Sequence, residues 1–316
     1  MGGAALRLFG LVGCLIAGAL FAGCGGTASL SNIPQPPTGG GSSAQPAGST
    51  GNLLYAADLT TNDVYVFSYP GGALRHTLRG FKAVHYECVD TSGDIFIDDT
   101  AASKVLEFAR GGDKAIRTFE TTGNTPNSCA INPVTGDLAI SYNPLGTGPG
   151  GVVVYPHVTG KPKTYSTPNV FRYYFIGYDA AGNLFVDGTD MHVTFELAEL
   201  PAGSQTAQQI TLDQSVSLPG AIQWDGQYLA IGDQVCIDCA SKIYRVTVSG
   251  GNGTIVDTVS LNDSCDVLQY WIYNKRVITG NDCGGTVKYF NYPAGGNSVK
   301  TIGSPLSQPV GVTISP

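Results

Sequence analysis

Between Gly51 and Pro316 the chain repeats itself at a near-constant interval, and no other feature limits its fold so tightly. Each copy re-enters a β-rich run through a glycine: Gly51-Asn-Leu-Leu-Tyr, Gly93-Asp-Ile-Phe-Ile, Gly136-Asp-Leu-Ala-Ile, Gly182-Asn-Leu-Phe-Val and Gly226-Gln-Tyr-Leu-Ala, with Asn274-Lys-Arg-Val-Ile as a degenerate sixth. Successive anchors lie 42, 43, 46, 44 and 48 residues apart. A second landmark follows within most copies, as in Val64-Tyr-Val-Phe-Ser-Tyr-Pro70, Val105-Leu-Glu-Phe-Ala-Arg-Gly111, Val152-Val-Val-Tyr-Pro156 and Val287-Lys-Tyr-Phe-Asn-Tyr-Pro293. Every unit thus holds about four short strands separated by Gly, Pro, Asn and Asp turns. The 43 glycines and 18 prolines, with only 13% charged residues, suit many short strands and not helices.

One such sheet has two apolar faces and cannot bury them alone; packing several radially covers the faces and protects the edges. The segment Gln308–Pro316 looks like the inner strand that precedes each later anchor, as Tyr86–Asp90 and Phe175–Asp179 do. The first run, Leu53–Ala57, lacks such a strand before it. The expectation is an all-β, six-bladed β-propeller over residues 51–316, with N- and C-terminal strands closing one blade.

The unit resembles the NHL repeat, whose blades read inner strand, Asp, turn, Gly-Asn, strand, Asp. Tyr178-Asp179-Ala-Ala-Gly182-Asn183-Leu-Phe-Val-Asp187 and Cys88-Val-Asp90-Thr-Ser-Gly93-Asp94-Ile-Phe-Ile-Asp98 carry that pattern. The resemblance implies the fold; lactonases, lyases and peptide- or sugar-binding modules share it, so it does not select a function.

Met1–Gly23 carries one charge, Arg7, then an apolar run shorter than a bilayer span, which reads as an export signal. Leu20-Phe21-Ala22-Gly23-Cys24 resembles the bacterial lipobox, although Phe21 stands where Leu is usual. That resemblance implies lipidation of Cys24 and attachment to the membrane through the lipid; the other reading is an ordinary signal peptide cut near Ala22 or Gly23. Residues 24–50 hold no charge and consist largely of Gly, Ser, Thr, Pro, Ala and Gln, the composition of a flexible tether. The expected location is the cell envelope, at the outer membrane or cell surface, since Gly25 is not the Asp that retains such anchors at the inner membrane.

Six cysteines remain beyond Cys14 and Cys24. In an exported chain they read as disulfides: Cys88 with Cys129 on consecutive inner strands, and Cys236, Cys239, Cys265 and Cys283 as two more bridges, Cys236–Cys239 with Cys265–Cys283 or a crossed version. The alternative is a tetrahedral zinc site from those last four thiolates.

Chemistry is sparse. No metalloprotease, nucleophile-elbow or phosphate-loop motif is present, and Gly146–Gly151 lacks the Lys-Ser/Thr of a Walker loop. A net charge of −7 with scattered Lys and Arg argues against nucleic acid. The register places His85, Glu87, Asn127, Arg172, Tyr173, Tyr174, Asp263, Asp266, Gln269 and Trp271 on the inner strands or the loops entering them. Of these, Arg172, Tyr173, Tyr174, Trp271, Asp266 and Asn127 are candidates for binding a glycan, a peptide or an envelope protein. The resemblance to lactonase-like propellers implies an alternative: calcium held by Glu87, Asn127 and Asp266, with His85 and Glu87 catalytic. Asp58, Asp98, Asp187, Asp233 and Asp282 read as turn-capping residues. The reading favoured by the missing catalytic motif is a binding or scaffold module.

Overall fold

A computed structural model describes residues 51–316, apart from residues 238 and 239 and the side chains of residues 236 and 237. Cys24, the tether, Cys239 and the Cys236 side chain therefore lie outside the described residues. Twenty-four strands form six four-stranded blades. The first blade unites Leu53–Asp58 (β1), Asp63–Ser68 (β2) and Leu74–Leu78 (β3) with Pro309–Ser315 (β24), which lies innermost. The second is Val84–Val89 (β4), Ile95–Asp99 (β5), Lys104–Phe108 (β6) and Ala115–Glu120 (β7). The third is Asn124–Ile131 (β8), Leu138–Pro144 (β9), Gly151–Tyr155 (β10) and Lys163–Tyr165 (β11). The fourth is Arg172–Tyr178 (β12), Leu184–Thr189 (β13), Phe195–Leu200 (β14) and Gln208–Leu212 (β15). Pro219–Trp224 (β16), Leu229–Ile237 (β17), Ala240–Ser249 (β18) and Asn252–Leu261 (β19) make the fifth. The sixth is Tyr270–Tyr273 (β20), Arg276–Asn281 (β21), Thr286–Asn291 (β22) and Gly295–Ile302 (β23).

The expected closure is present: β24 pairs antiparallel with β1, Leu54 against Ile314 and Ala56 against Val312. Alternation along β1 shows how the ring is glued. Leu53, Tyr55 and Ala57 turn toward the second blade and meet Val84, Ile95 and Ile97; Leu54 and Ala56 turn the other way and meet Ile278 and Val287 of the sixth. A strand buried on both faces has no polar side to spare, which is why β1 reads as an unbroken apolar run.

The repeated Asp-x-x-Gly has a local cause. Asp90 Oδ1 accepts from the Ser92 and Asp94 N–H groups, and Asp179 Oδ1 from those of Ala181 and Asn183. Each Asx turn ends at a glycine with positive φ, +86° at Gly93 and +83° at Gly182. The sixth copy makes its turn with Asn274 at φ 47°, a residue that tolerates the left-handed region. Where the other blades have this turn, the first has the meeting of Gly51 and Pro316. The Arg110 guanidinium spans it, donating to the Gly51 and Pro316 carbonyls at 2.6 Å each.

Cys88–Cys129 and Cys265–Cys283 are disulfide-bonded, two of the bridges expected. The second corrects the zinc alternative, because two of its four thiolates are already joined to each other.

Candidate functional site

The inner strands begin at one mouth of the channel and end at the other. The loops at the entry mouth are tied down by the residues that close the second strands. Asp58 Oδ2 accepts from Ser307 and Gln308 N–H, Asp99 Oδ1 from Lys82 and Ala83, Asp233 from Ser217 and Leu218, and Asn281 Oδ1 from Cys265. Asp187 reaches Phe175 N–H in its own blade and Gly220 N–H in the next. Asp58, Asp187 and Asp233 thus cap as expected, whereas the caps in the second and sixth blades are Asp99 and Asn281, one residue from Asp98 and Asp282.

The residues expected to meet a ligand at this mouth have separate employments. Tyr173 is fully buried and its hydroxyl accepts from Thr167 N–H, so it is a core residue. Asn127 donates to the Tyr173 carbonyl. Arg172 donates to the Gly148 carbonyl. Asp266 lies against the Cys283 sulfur at 3.5 Å. Tyr174 is exposed on the rim. Asp263 is bound to Ser298 and Lys288.

Glu87 is completely buried, and neither carboxylate oxygen has a hydrogen-bond partner; the same holds for Asp98. Burial, reinforced by the neighbouring Asp98, pushes the Glu87 carboxyl well above its ordinary range, and burial alone does so for Asp98. Burial also lowers the His85 imidazole. Of the calcium candidates, Asn127 donates to the Tyr173 carbonyl, Asp266 lies against the Cys283 sulfur, and the Glu87 carboxyl is fully buried.

The middle of the channel is plugged. Tyr86 of the second blade packs on Phe175 of the fourth at 4.9 Å between ring centroids. The Gln269 amide crosses from the sixth blade to the Glu87 backbone of the second.

Beyond that plug, the exit mouth widens into a cavity of about 480 Å³ floored by Phe175 and walled by Ile222, Tyr178, Trp224, Trp271 and Tyr273. The chain has two tryptophans, and both line this cavity. Several of the polar groups around it are occupied by the protein itself. Gln223 donates to Ile272 O and accepts from Ile272 N–H, while Asp179 binds its own turn through both oxygens. What remains to offer a ligand is mostly aromatic and aliphatic surface, with Thr91, Asp90, the Tyr178 hydroxyl and the two indole N–H groups also in the lining. Among the described residues no histidine lines it, so it has no imidazole for proton transfer.

Of the sequence candidates only Trp271 and Gln269 reach this cavity; Trp224, Tyr178 and Tyr273 were missed. The signal for them lies in the repeat. The residue before each turn-forming Asp or Asn lines the mouth: Val89, Ile131, Tyr178, Trp224 and Tyr273.

No family model matches the chain, and no curated protein matches it. Solved structures do. A chain of a nidogen–laminin complex superposes with a TM-score of 0.67 at 11% identity, covering 84% of this chain and 99% of that one. A protein of unknown function from Bacteroides caccae gives 0.62 at 13% identity, with coverages of 84% and 99%. A functionally unknown protein from Desulfotomaculum acetoxidans DSM 771 gives 0.58 at 10% identity, with 83% and 98%. At such identities the likeness is one of fold: the chain is a β-propeller of the kind these structures contain.

Proposed function

We propose that this chain is a non-enzymatic binding module of the cell envelope, and that the exit mouth takes an apolar or aromatic side chain from a peptide segment of a partner protein. The observation that carries the reading is the cavity's predominantly aromatic and aliphatic lining, with Gln223 and Asp179 beside it already hydrogen-bonded within the protein. A sugar would find few free donors or acceptors there, whereas a Phe, Leu or Trp side chain loses water without stranding a polar group. That one neighbour in fold comes from a nidogen–laminin complex is compatible with protein recognition by such a ring. The repeat is assigned to the NHL type on its Asp-turn-Gly-Asn pattern. Export rests on the apolar leader and on the disulfides, and attachment rests on Cys24 as a lipidated residue followed by the tether. Together these describe a lipoprotein carrying a receptor-like ring at the outer membrane or cell surface.

Because both tryptophans line the cavity, tryptophan-selective fluorescence reports on it. Titration with N-acetyl-phenylalaninamide and with short Phe- and Leu-containing peptides is expected to give a saturable blue shift. A Trp224→Ala variant that retains its fold should lose it. Saturation by neutral oligosaccharides with no response to peptides would replace the peptide reading with a glycan one. Mass spectrometry of the membrane fraction, with Cys24→Ala as the comparison, tests the lipid.

A further inference from the structure

Beside the exit mouth, at the junction of the sixth and first blades, lies a second cleft of about 590 Å³, lined by Tyr69, Tyr289, Arg276, Lys300 and Asn52 among others. Its aromatic rings run outward from the mouth as a ladder. Tyr273, on the cavity wall, meets Tyr69 edge-on at 5.6 Å, and Tyr69 stacks on Tyr289 at 5.8 Å with 13° between planes. Lys300 Nζ sits 5.6 Å from the Tyr289 centroid and donates to the Pro70 and Gly71 carbonyls, which leaves one ammonium proton uncommitted. Arg276 lies near enough to Tyr69 to oppose the upward push that burial exerts on its phenol. The Tyr289 hydroxyl, on a residue only 3% exposed, has no partner in the protein.

The charges are the informative part. The chain carries a net charge of −7, yet no Asp or Glu lines this cleft. Neither Arg276 nor Lys300, the two cations of the cleft, is among the described ion pairs. Two cations in a cleft that no carboxylate lines are complementary to an anionic partner. The guanidinium of Arg276 is suited to bind a planar carboxylate at two points.

We propose that this cleft is the acidic-residue subsite of the peptide groove: a Glu or Asp side chain of the bound segment sits between Arg276 and Lys300, over the Tyr69 and Tyr289 rings. The proposal rests on the exit mouth as the seat of the apolar anchor. An extended chain advances about 3.3–3.6 Å per residue, so the ring ladder sets the acidic residue about three to five positions from the anchor. The segment recognised therefore has a pattern, an apolar side chain and then a carboxylate at that interval, and the cations fix the direction in which it crosses the face.

The test uses a dye-labelled octapeptide with one Phe followed, after three glycines, by two Glu, and a twin with Gln in place of Glu. Fluorescence anisotropy on the whole protein is expected to show the Glu peptide binding about ten-fold tighter, with the ratio falling toward one at about 0.5 M NaCl. The R276Q/K300Q variant should bring the ratio to one while binding the Gln twin as wild type does. Equal affinities of wild type for the two peptides overturn the subsite but leave the mouth standing. A Glu preference that survives Trp224→Ala unchanged shows instead that the mouth is not the anchor and the cationic cleft acts alone. Binding of neither peptide removes both, and an oligogalacturonate that binds tighter than the Glu peptide reassigns the cations to an acidic glycan.

Discussion

The Gln269 side-chain amide forms a two-point pair with the backbone of Glu87, accepting from its N–H at 3.2 Å and donating to its carbonyl at 2.7 Å. Its Oε1 also accepts from Val312 N–H at 3.1 Å. One residue of the sixth blade thereby satisfies channel-facing groups on the innermost strands of the first and second blades, which are neighbours in the ring and have no further strand on that side.

Removing it should be costly. In Gln269→Ala two buried N–H groups and one carbonyl lose their partner, at about 1–3 kcal/mol for each stranded group. A drop of at least about 3 kcal/mol in unfolding free energy is expected from urea titration followed by far-UV circular dichroism. A loss below about 1 kcal/mol would mean that water replaces the amide.

Glu87 gives the stability a pH dependence. Its folded carboxyl titrates above the ordinary value of 4.5, so the folded state holds a proton that the unfolded chain has released. The favourable contribution is complete below about pH 4.5 and is lost as pH rises through the folded value. Glu87→Gln removes the titration. The melting temperature of wild type relative to that variant is expected to fall as pH rises above about 4.5; parallel profiles would mean the carboxyl is not shielded.

The two bridges differ in the loops they close, with sequence separations of 41 and 18 residues. Restricting the unfolded chain favours the longer loop, at about 4 against about 3 kcal/mol. Replacing Cys88 and Cys129 together by Ala should therefore lower the denaturation midpoint more than replacing Cys265 and Cys283. Cys88 and Cys129 are also buried in an apolar cluster, which adds to the difference.

Arg110 stands where a covalent turn stands in the other blades. Arg110→Ala is expected to accelerate hydrogen exchange in Leu53–Asp58 and Pro309–Ser315 while the third to fifth blades keep wild-type protection. Uniform protection across the ring would show that the apolar faces of β1 alone hold the closure.

The blades were legible because their punctuation is local: an Asp that accepts from the next turn, a glycine with positive φ, and an apolar run buried on both faces. Even Asn274, a poor match to the repeat, does what the glycines do. The site was harder, because it is written across inner strands far apart in sequence. Asn127 and Asp266 looked like ligand-binding groups in isolation, but the first is spent on the Tyr173 backbone and the second sits against Cys283. Nothing local marks Trp224 in the sequence; it belongs to a site because the fold brings it and the corresponding positions Tyr178 and Tyr273 around one opening. Polar residues attract notice in a sequence; here their partners decide whether they remain available.

In the seam of the ring, Leu53 lies opposite Ser315 and Asp58 opposite Pro309, so the chain leaves both strands at the same edge. Tension applied between Gly51 and Pro316 would therefore reach the ladder one rung at a time and peel it. Tension between Gly51 and Pro309 would instead load every rung at once. A ring of six mutually supporting sheets thus has a direction in which it parts at low force, and a pull on the two ends of its seam acts along it.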